Sequence, residues 1–406
     1  MLSDQYLPRT LEPVIEKASN TFKIVMLSGL RQSGKSTLLQ HLSDSSRQYV
    51  TLDNAAKRIN ALEAPEEFFR SNPAPATIDE IQLAPDLFRA MKEAVDADSK
   101  TGQYWISGSQ RLSLMSNVSE KLPGRLVSFD LWPMSIYERF GKGLEQKPYR
   151  PDKEPGNLKE KNKEDIWPII FQGAWPRVLD ADEQARSWFF DSLMDLYISR
   201  DIAALTGVDK TLEFQKFLQA IAIRSGQELK LQTLAQMCSV SIPTIRRWLS
   251  IAEASGIIFL LKPFSSNINK QIVKSPKLYM ADTGLMAACL HIESVEELKR
   301  YPNSGSFFET FVVTEILKSW CHNGRRPDFY FYRDSAGMEI DLLIHSKGLY
   351  FPVEIKAKSS PDSHDAKWIK KFKDMKIPTG QASIISMTPE RYYVAPEVVV
   401  HSVWEL

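Results

Sequence analysis

The segment "GLRQSGKST" at residues 29–37 constrains the fold of this chain more than any other stretch. It fits the pattern G-x-x-x-x-G-K-[ST], follows the apolar stretch 22–28 and leads into the helical sequence "KSTLLQHL". A strand, a glycine-rich turn and a helix in this order form a loop whose backbone N–H groups surround phosphate oxygens. The sequence therefore predicts a phosphate-binding loop (P-loop), with a plain glycine turn before a helix as the alternative.

The side chains of this loop predict what it binds. Lys35 would neutralise charge on the β- and γ-phosphates of ATP, and the Ser36 hydroxyl would ligate Mg²⁺. The glycines would let successive backbone N–H groups face the phosphates. ATP and Mg²⁺ are therefore the expected ligands, and the predicted nucleotide-contacting residues are Gly29, Arg31, Gln32, Ser33, Gly34, Lys35, Ser36 and Thr37.

Hydrolysis needs a second half of the site, and "ATIDEIQ" (76–82) supplies candidates for it. Asp79, at the end of a predicted strand, would hold the water shell of the Mg²⁺ ion. Glu80 could orient or deprotonate the attacking water. The alternative interpretation is a solvated strand end with two exposed carboxylates.

A further strand, "YWISGSQ" (104–110), ends in small polar groups. Ser109, or else Ser107, could contact the γ-phosphate; a tight turn is the alternative. A strand order with this sensor strand between the P-loop strand and the Asp-Glu strand is the additional-strand ATPase plan. In such proteins an arginine of a neighbouring subunit often completes the site. Arg125 is the candidate for this role, and an ordinary surface arginine is the alternative.

The arrangement of apolar segments predicts an α/β chain of several domains. Short strands alternate with helical stretches to about residue 140, which indicates a parallel sheet covered by helices. A charged stretch rich in Pro and Gly, 141–165, indicates a mobile insertion or linker, with a folded metal- or ligand-binding loop as the alternative. The predicted units are 1–140, a linker at 141–166, a largely helical region at 167–300 and a mixed α/β domain at 301–406.

Charge, cysteine content and the length of apolar runs limit the binding partners and the cellular location that we expect. The chain has 51 basic and 50 acidic residues, so any nucleic-acid-binding face must be local. Three widely spaced cysteines match neither a disulfide framework nor a zinc site, which fits a reducing cytoplasm. The longest apolar run, 256–261, is far shorter than the ~20 residues that cross a bilayer. We therefore expect a cytoplasmic protein without a membrane segment.

The middle of the chain, 229–264, predicts a winged helix-turn-helix within about 225–275. A helix meets the polar turn "SVS", and a second helix follows with Ile245, Trp248, Leu249 and Ala252 on one face. Such a unit could bind DNA, or it could serve as a packing or oligomerisation module. The candidate DNA contacts are Arg246, Arg247, Lys262, Lys270 and Lys274.

The segment "MEIDLLIHSKGLYFPVEIKAK" (338–358) resembles the metal-binding hairpin of some nucleases. Asp341 and Glu354 would ligate a divalent cation, and Lys356 would stabilise charge during phosphodiester cleavage. Glu309 or Glu315, from a predicted helix at 306–320, could add a third carboxylate. The alternative is a buried network of lysine and carboxylates that only holds the hairpin.

With these motifs placed, the whole chain resembles prokaryotic AAA-type P-loop ATPases with a C-terminal PD-(D/E)xK nuclease-like domain of unknown function. The motifs "GLRQSGKSTLL", "ATIDEIQ", "ISGSQ", "LPGRLVSFDLWPMSIYE", "PKLYMADTGLMA" and "PVEIKAK" carry this resemblance, which is nearly end to end except at 141–165. It implies an AAA-type sheet domain and ATP hydrolysis by Lys35, Ser36, Asp79 and Glu80. It also implies a homo-oligomer such as a ring, with Arg125 or Arg200 near the subunit boundary. In "LPGR" (122–125), Pro123 stands before Gly124, where the family more usually has a small residue.

Three functions follow from these expectations. The first is an oligomeric ATP hydrolase that binds or remodels duplex or branched DNA through the winged helix and the C-terminal domain. The second is a metal-dependent DNA endonuclease. The third is a nucleotide-gated module that binds a protein partner in defence or signalling.

Overall fold

The computed structural model describes residues 6–109, 122–154, 158, 161, 164–196, 211–265 and 275–406. Three residues of the sequence-based predictions, Arg200, Lys270 and Lys274, lie outside these ranges. The described residues form two sheets. The first belongs to the N-terminal part of the chain, and the second joins the middle and the C-terminal parts.

The first sheet is parallel throughout, with the strand order β2-β3-β4-β1-β5. The sensor strand β4 therefore lies between the P-loop strand β1 and the Asp-Glu strand β3, which confirms the predicted additional-strand order. The carboxyl ends of these three strands meet at one edge of the sheet, where ligands bind in open α/β sheets. The strands are β1 (Ile24–Gly29), β2 (Gln48–Thr51), β3 (Ala76–Asp79), β4 (Tyr104–Gly108) and β5 (Leu126–Leu131).

Helices cover both faces of this sheet. Along β1, Ile24 and Met26 enter one apolar cluster, whereas Val25 and Leu27 enter another on the opposite face. Because both faces are buried, the strands are continuous apolar runs in the sequence. The helices are α1 (Glu12–Ser19), α2 (Lys35–Leu42), α3 (Ala55–Glu63), α4 (Pro65–Ser71), α5 (Leu87–Asp96) and the short α6 (Ile136–Arg139).

The middle region contains the predicted succession of helix, turn, helix and strand. Trp248 and three apolar neighbours are buried as expected, whereas Arg246 and Arg247 are exposed. The Ser241 hydroxyl accepts a hydrogen bond from the Thr244 backbone N–H and caps the second helix. The elements are α7 (Trp167–Gln172), α8 (Glu183–Leu196), α9 (Thr211–Ile223), β6 (Gln227–Glu228), α10 (Leu231–Cys238), α11 (Ile242–Ala254), β7 (Ile258–Pro263) and β8 (Lys277–Met280).

The C-terminal part completes a mixed sheet in the order β13-β14-β12-β11-β10-β9-β7-β8-β6. The middle region joins this sheet because β7 pairs in parallel with β9, with Lys262 opposite Tyr330. The elements are α12 (Thr283–Cys289), α13 (Val295–Arg300), α14 (Ser304–Cys321), β9 (Phe329–Arg333), β10 (Glu339–Ser346), β11 (Leu349–Lys356), α15 (Lys367–Lys373), β12 (Ala382–Ser386), β13 (Tyr392–Ala395) and β14 (Val398–Ser402).

The described residues of the predicted linker 141–165 include some that are buried and hydrogen-bonded to the C-terminal part, which a mobile segment would not be. Tyr149 and Leu158 are buried in the main apolar cluster. The backbone of Tyr149 accepts a hydrogen bond from Trp320 Nε1 at 2.8 Å and donates one to Ser319 Oγ at 3.0 Å. A few well-spaced apolar anchors thus hold a segment whose average composition is charged. None of the helices in the described ranges is both long and apolar enough to cross a membrane.

Candidate nucleotide-binding site

The P-loop connects β1 to α2 through backbone conformations that favour glycine. Gly29 has φ 154°, and a Cβ atom there would lie 2.2 Å from the carbonyl oxygen of Leu131 on β5. Gly34, with φ 94°, immediately precedes α2. Because neither residue has a side chain, the loop can pass close to β5 and turn its N–H groups toward the carboxyl edge of the sheet.

Lys35 lies at the start of α2 and points back into the loop. Its ammonium group donates hydrogen bonds to the carbonyl oxygens of Leu30, at 2.7 Å, and Gly29, at 3.1 Å. Burial lowers the pKa of Lys35 to about 8, although Glu80 and Asp79 act in the opposite direction. An anionic phosphate would bring negative charge into direct contact with this buried ammonium, which here donates to two uncharged carbonyl oxygens.

Ser36 and Asp79 are in contact, as a Mg²⁺-binding pair requires. Ser36 Oγ donates to Asp79 Oδ2 at 2.8 Å, and Tyr49 OH donates to the same oxygen at 2.6 Å. Ser107 Oγ donates to the other carboxylate oxygen. A hydroxyl and a carboxylate side by side are oxygen ligands of the kind that Mg²⁺ prefers, so these residues fit the metal that the motif implies.

Glu80 follows β3 directly and is held by Gln82, which ends the segment "ATIDEIQ" but was given no role in the sequence-based prediction. Its φ of 58° is left-handed, and Gln82 Nε2 donates a hydrogen bond to its carboxylate. The same amide group lies 3.3 Å from Ser109 Oγ. Burial raises the pKa of Glu80, against the opposing effects of Gln82 and Lys35, which makes the carboxylate a stronger base.

The two serines of the sensor strand thus have different surroundings. Ser107 binds the carboxylate of Asp79, whereas Ser109 lies beside Gln82 and Glu80. Sequence reasoning missed Gln82 and Tyr49. Strand alternation could have indicated Tyr49, because it shares a face of β2 with Thr51, and Thr51 is opposite Asp79.

Two residues from outside the loop hold its backbone. The Arg9 guanidinium donates to the carbonyl oxygens of Ser33, at 2.9 Å, and Trp132, at 3.0 Å. Trp175 Nε1 donates to the carbonyl oxygen of Arg31 at 2.9 Å. The P-loop is therefore attached to the chain before β1 and to the region after α7.

A buried ion-pair network continues from Arg9 toward the C-terminal part. Arg9 Nε lies 3.1 Å from Glu138 Oε2, and His322 Nδ1 lies 3.1 Å from Glu138 Oε1. His322 Nε2 accepts a hydrogen bond from the Trp132 backbone N–H at 3.2 Å, so the ring proton of a neutral His322 would be on Nδ1. His322 immediately follows α14, and the network therefore connects the P-loop to that helix.

We expect Glu138→Gln to lower the free energy of unfolding by about 3 kcal/mol, because it leaves buried Arg9 without its charged partner. Burial alone would raise the pKa of Glu138, but Arg9 and His322 lower it well below its usual range. A lowered folded-state pKa stabilises the protein above the ordinary glutamate pKa of 4.5 and ceases to do so as the pH falls. Urea denaturation at pH 7 and at several pH values below 4.5 measures both effects.

The exposed carboxylate of Glu145 provides the matched control for this measurement. Glu145→Gln should change stability by less than about 0.5 kcal/mol. Equal urea midpoints for wild type and Glu138→Gln at pH 7 would contradict the role of the network.

Arg125 lies at the opposite edge of the sheet from the P-loop. Its carbonyl oxygen accepts a hydrogen bond from the N–H of Ile24, where β1 begins. Its guanidinium makes a two-bond ion pair with Asp96, at 2.6 and 2.8 Å. Arg125 therefore cannot reach the P-loop of its own chain, and its role as an arginine finger stays a prediction that requires a second subunit.

The hairpin residues of the nuclease-like motif converge only in part as predicted. Lys356 Nζ lies 2.8 Å from Glu354 Oε2 and 3.9 Å from Asp341 Oδ2. Glu309 is connected to Asp341 through Lys277. The alternative prediction, that Glu315 is the third carboxylate, is wrong. Glu315 pairs with Lys318 and accepts a hydrogen bond from the Ile136 N–H. Within the described ranges, no group of three or more His, Cys, Asp or Glu side chains is arranged so that it could hold a metal ion.

Family comparisons divide the chain into three parts. Residues 21–140 match an AAA domain, residues 163–296 match a domain of unknown function (DUF8612), and residues 304–406 match another (DUF4143). In this match and in its strand order, the N-terminal part is similar to P-loop ATPases. The descriptions of the other two families name no activity.

Similar whole proteins are uncharacterized. The chain is 26% identical to Rv2008c of Mycobacterium tuberculosis over 351 residues, which are 86% of this chain and 73% of that protein. It is 22% identical to a Haemophilus influenzae protein over 333 residues, covering 76% of this chain and 77% of the relative.

Solved structures that resemble the chain do so loosely. The Walker-type ATPase PABY2304 of Pyrococcus abyssi has a TM-score of 0.45 at 11% identity, with 71% of this chain and 96% of that chain covered. A STAND protein with a tetratricopeptide repeat sensor, PH0952 of Pyrococcus horikoshii, has a TM-score of 0.25 at 10% identity, with 78% and 48% covered. No functional conclusion rests on these likenesses.

Proposed function

We propose that this protein hydrolyses ATP at the P-loop and uses the nucleotide cycle to control how its middle and C-terminal regions bind DNA. The main support for ATP hydrolysis is the contact of Ser36 with Asp79 at the carboxyl edge of the sheet. Lys35 and Glu80 lie beside this contact. These residues come from β3 and from the P-loop, and together they supply a metal-binding pair, a phosphate-binding cation and a base.

Each residue has a distinct task in this reaction. Lys35 would exchange its two carbonyl partners for phosphate oxygens of ATP. Ser36 and Asp79 would hold Mg²⁺, whose charge would stabilise the negative charge of the phosphates. Glu80 would accept a proton from the attacking water, and Gln82 would fix the orientation of its carboxylate. Ser109 would contact the γ-phosphate from the sensor strand.

The buried network provides a route from nucleotide to the rest of the chain. Arg9 holds the Ser33 carbonyl of the P-loop and lies against Glu138, which in turn lies against His322 at the end of α14. A phosphate that reorders the loop backbone would therefore change the partners of Arg9. Because α14 also contacts β11 of the second sheet, this change would reach the proposed DNA-binding regions.

DNA contact is proposed for the exposed side of α11. Arg246 and Arg247 are solvent-exposed while the opposite side of the helix is buried, and Lys262 is exposed on β7. With a net charge of +1, the chain as a whole does not attract DNA, so affinity would depend on such local groups. We also propose a homo-oligomer in which Arg125 leaves Asp96 and reaches the ATP of the next subunit.

Removing both arginines of α11 tests DNA contact. Arg246→Ala/Arg247→Ala should weaken duplex binding and reduce the slope of log affinity against log salt by about 2, since each phosphate contact contributes about 0.9. Fluorescence anisotropy with a labelled duplex and a labelled branched DNA, at several salt concentrations, measures this. DNA should also stimulate phosphate release from ATP in the wild type, and less so in the double variant.

The exposed pair Arg325 and Arg326 offers a control with the same loss of charge. Arg325→Ala/Arg326→Ala should leave the salt slope close to that of the wild type. Equal losses in both double variants would contradict contact through α11. An absence of affinity for any DNA at low salt would favour the protein-binding alternative and would leave ATP hydrolysis untouched.

A further inference from the structure

The nuclease-like part of the molecule contains four acidic side chains on three elements. Glu309 comes from α14, Glu339 and Asp341 come from β10, and Glu354 comes from β11. We call these four residues the acidic cluster. Glu354 is 2% exposed, and burial together with the charge of Asp341 raises its pKa. Burial also raises the pKa of Glu309. So many carboxylates in a poorly solvated place need cations near them.

One cation comes from a strand that the nuclease motif does not include. Lys277, on β8, is 3% exposed. Its ammonium group lies 2.6 Å from Glu339 Oε1, 3.2 Å from Glu309 Oε1 and 3.9 Å from Asp341 Oδ1. Tyr279, two residues further along β8, donates a hydrogen bond to Glu309 Oε1 at 2.7 Å. The strand therefore directs two side chains at the cluster from the middle region.

The second cation in the acidic cluster is the ammonium group of Lys356. It lies 2.8 Å from Glu354 Oε2 and 3.9 Å from Asp341 Oδ2. The Ile355 backbone N–H donates to the same Asp341 oxygen at 2.9 Å. Asp341, which would be the central metal ligand of the motif, thus has one oxygen near Lys277 and the other shared between Lys356 and the Ile355 N–H.

A divalent cation does not fit this arrangement. Such an ion would need carboxylate oxygens within about 2.0–2.6 Å. An ion that close to Glu309 and Asp341 would also lie next to the ammonium group of Lys277, which would repel it strongly in a buried place. The two lysines already provide two positive charges to the carboxylates, so a metal would have to displace one of them.

We infer that Lys277 takes the place of the divalent cation in the acidic cluster, so that this site joins two parts of the protein and does not cut DNA. Lys277 belongs to the strand β8 of the middle region, whereas its partners belong to α14 and β10 of the C-terminal part. The pairing of β7 with β9 joins the same two parts. The nuclease-like hairpin thereby helps to hold the middle and C-terminal parts together through ion pairs. A metal ion could bind there only if Lys277 were removed.

Binding of Mn²⁺ to the full chain without nucleotide tests this inference, with isothermal titration calorimetry as the measurement. Wild type and Asp341→Asn should bind Mn²⁺ alike, because Asp341 holds no metal. Lys277→Met should gain one Mn²⁺ per chain with at least tenfold higher affinity than any site of the wild type. Adding Asp341→Asn to Lys277→Met should abolish that gain.

Two results would overturn the inference. One is a Mn²⁺ ion that wild type binds and Asp341→Asn does not. The other is a folded Lys277→Met protein that gains no Mn²⁺. If Lys277→Met does not fold, Lys277→Met/Glu339→Gln removes one carboxylate with the ammonium group and is judged in the same way. The comparison of wild type with Asp341→Asn needs no variant of Lys277. ATP hydrolysis enters none of these measurements, so their outcome is independent of the proposed ATPase.

Discussion

Replacing Lys35 by alanine should slow ATP hydrolysis at least about 100-fold, the usual cost of removing one well-placed group that stabilises charge in a transition state. The ammonium group of Lys35 is buried inside the P-loop and is held there by two carbonyl oxygens. Arg9 also donates to a carbonyl oxygen of the loop, that of Ser33, but it does so from outside the motif. Phosphate release by Lys35→Ala and wild type, at saturating ATP and Mg²⁺, measures the effect.

The lowered pKa of Lys35 adds a pH dependence to ATP binding. Because the pKa is about 8 in the free protein, a growing fraction of Lys35 is neutral above that pH, and ATP binding must then be accompanied by uptake of a proton from solvent. ATP affinity should therefore fall as the pH rises through about 8. Lys92→Ala, which removes an exposed lysine of α5, is the control and should change neither the rate nor this profile. An unchanged rate in Lys35→Ala would mean that hydrolysis occurs elsewhere.

Glu80→Gln should separate ATP binding from hydrolysis. The change keeps the size of the side chain but removes the basic carboxylate, and a positioned general base contributes about 10²- to 10⁴-fold to a rate. ATP binding should persist, because Lys35, Ser36 and Asp79 are unchanged. After incubation with ATP and Mg²⁺ and removal of free nucleotide, Glu80→Gln should retain ATP, whereas wild type should retain ADP or nothing.

The control for this variant is Glu67→Gln, which alters an exposed carboxylate of α4. It should behave as wild type in both retention and turnover. Recovery of ADP from Glu80→Gln in the same proportion as from wild type would show that Glu80 is not the base.

The geometry of the candidate nucleotide site was predictable because the sequence information that specifies it is local. The glycines, Lys35 and Ser36 occupy one short segment, and the alternation of strands with helices dictates that β3 and β4 end at the same edge of a parallel sheet as β1. The contact of Ser36 with Asp79 follows from those two facts. The buried face of α11 was predictable for the same reason, since its apolar residues recur with the helical period.

Contacts between distant residues were not predictable from the sequence. Arg9, Glu138 and His322 stand in three distant segments. Glu138 ends the motif "LPGRLVSFDLWPMSIYE", but nothing in that motif indicates its pairing with Arg9 or His322. Lys277 begins the apolar stretch "KLYM", which gives no sign that its ammonium group enters the acidic cluster. The alternative interpretation of the hairpin, a buried lysine–carboxylate network, includes Lys356 as its only lysine. Only the register of β8 against β7 brings the second lysine there.

The most direct test of ATP hydrolysis at this P-loop is the rate of phosphate release by the purified full chain with Mg²⁺, measured beside Glu80→Gln. We expect wild type to release phosphate at a rate at least about 100-fold above that of Glu80→Gln. Equal rates in the two proteins, or no release by wild type with or without DNA, would contradict ATP hydrolysis at this P-loop.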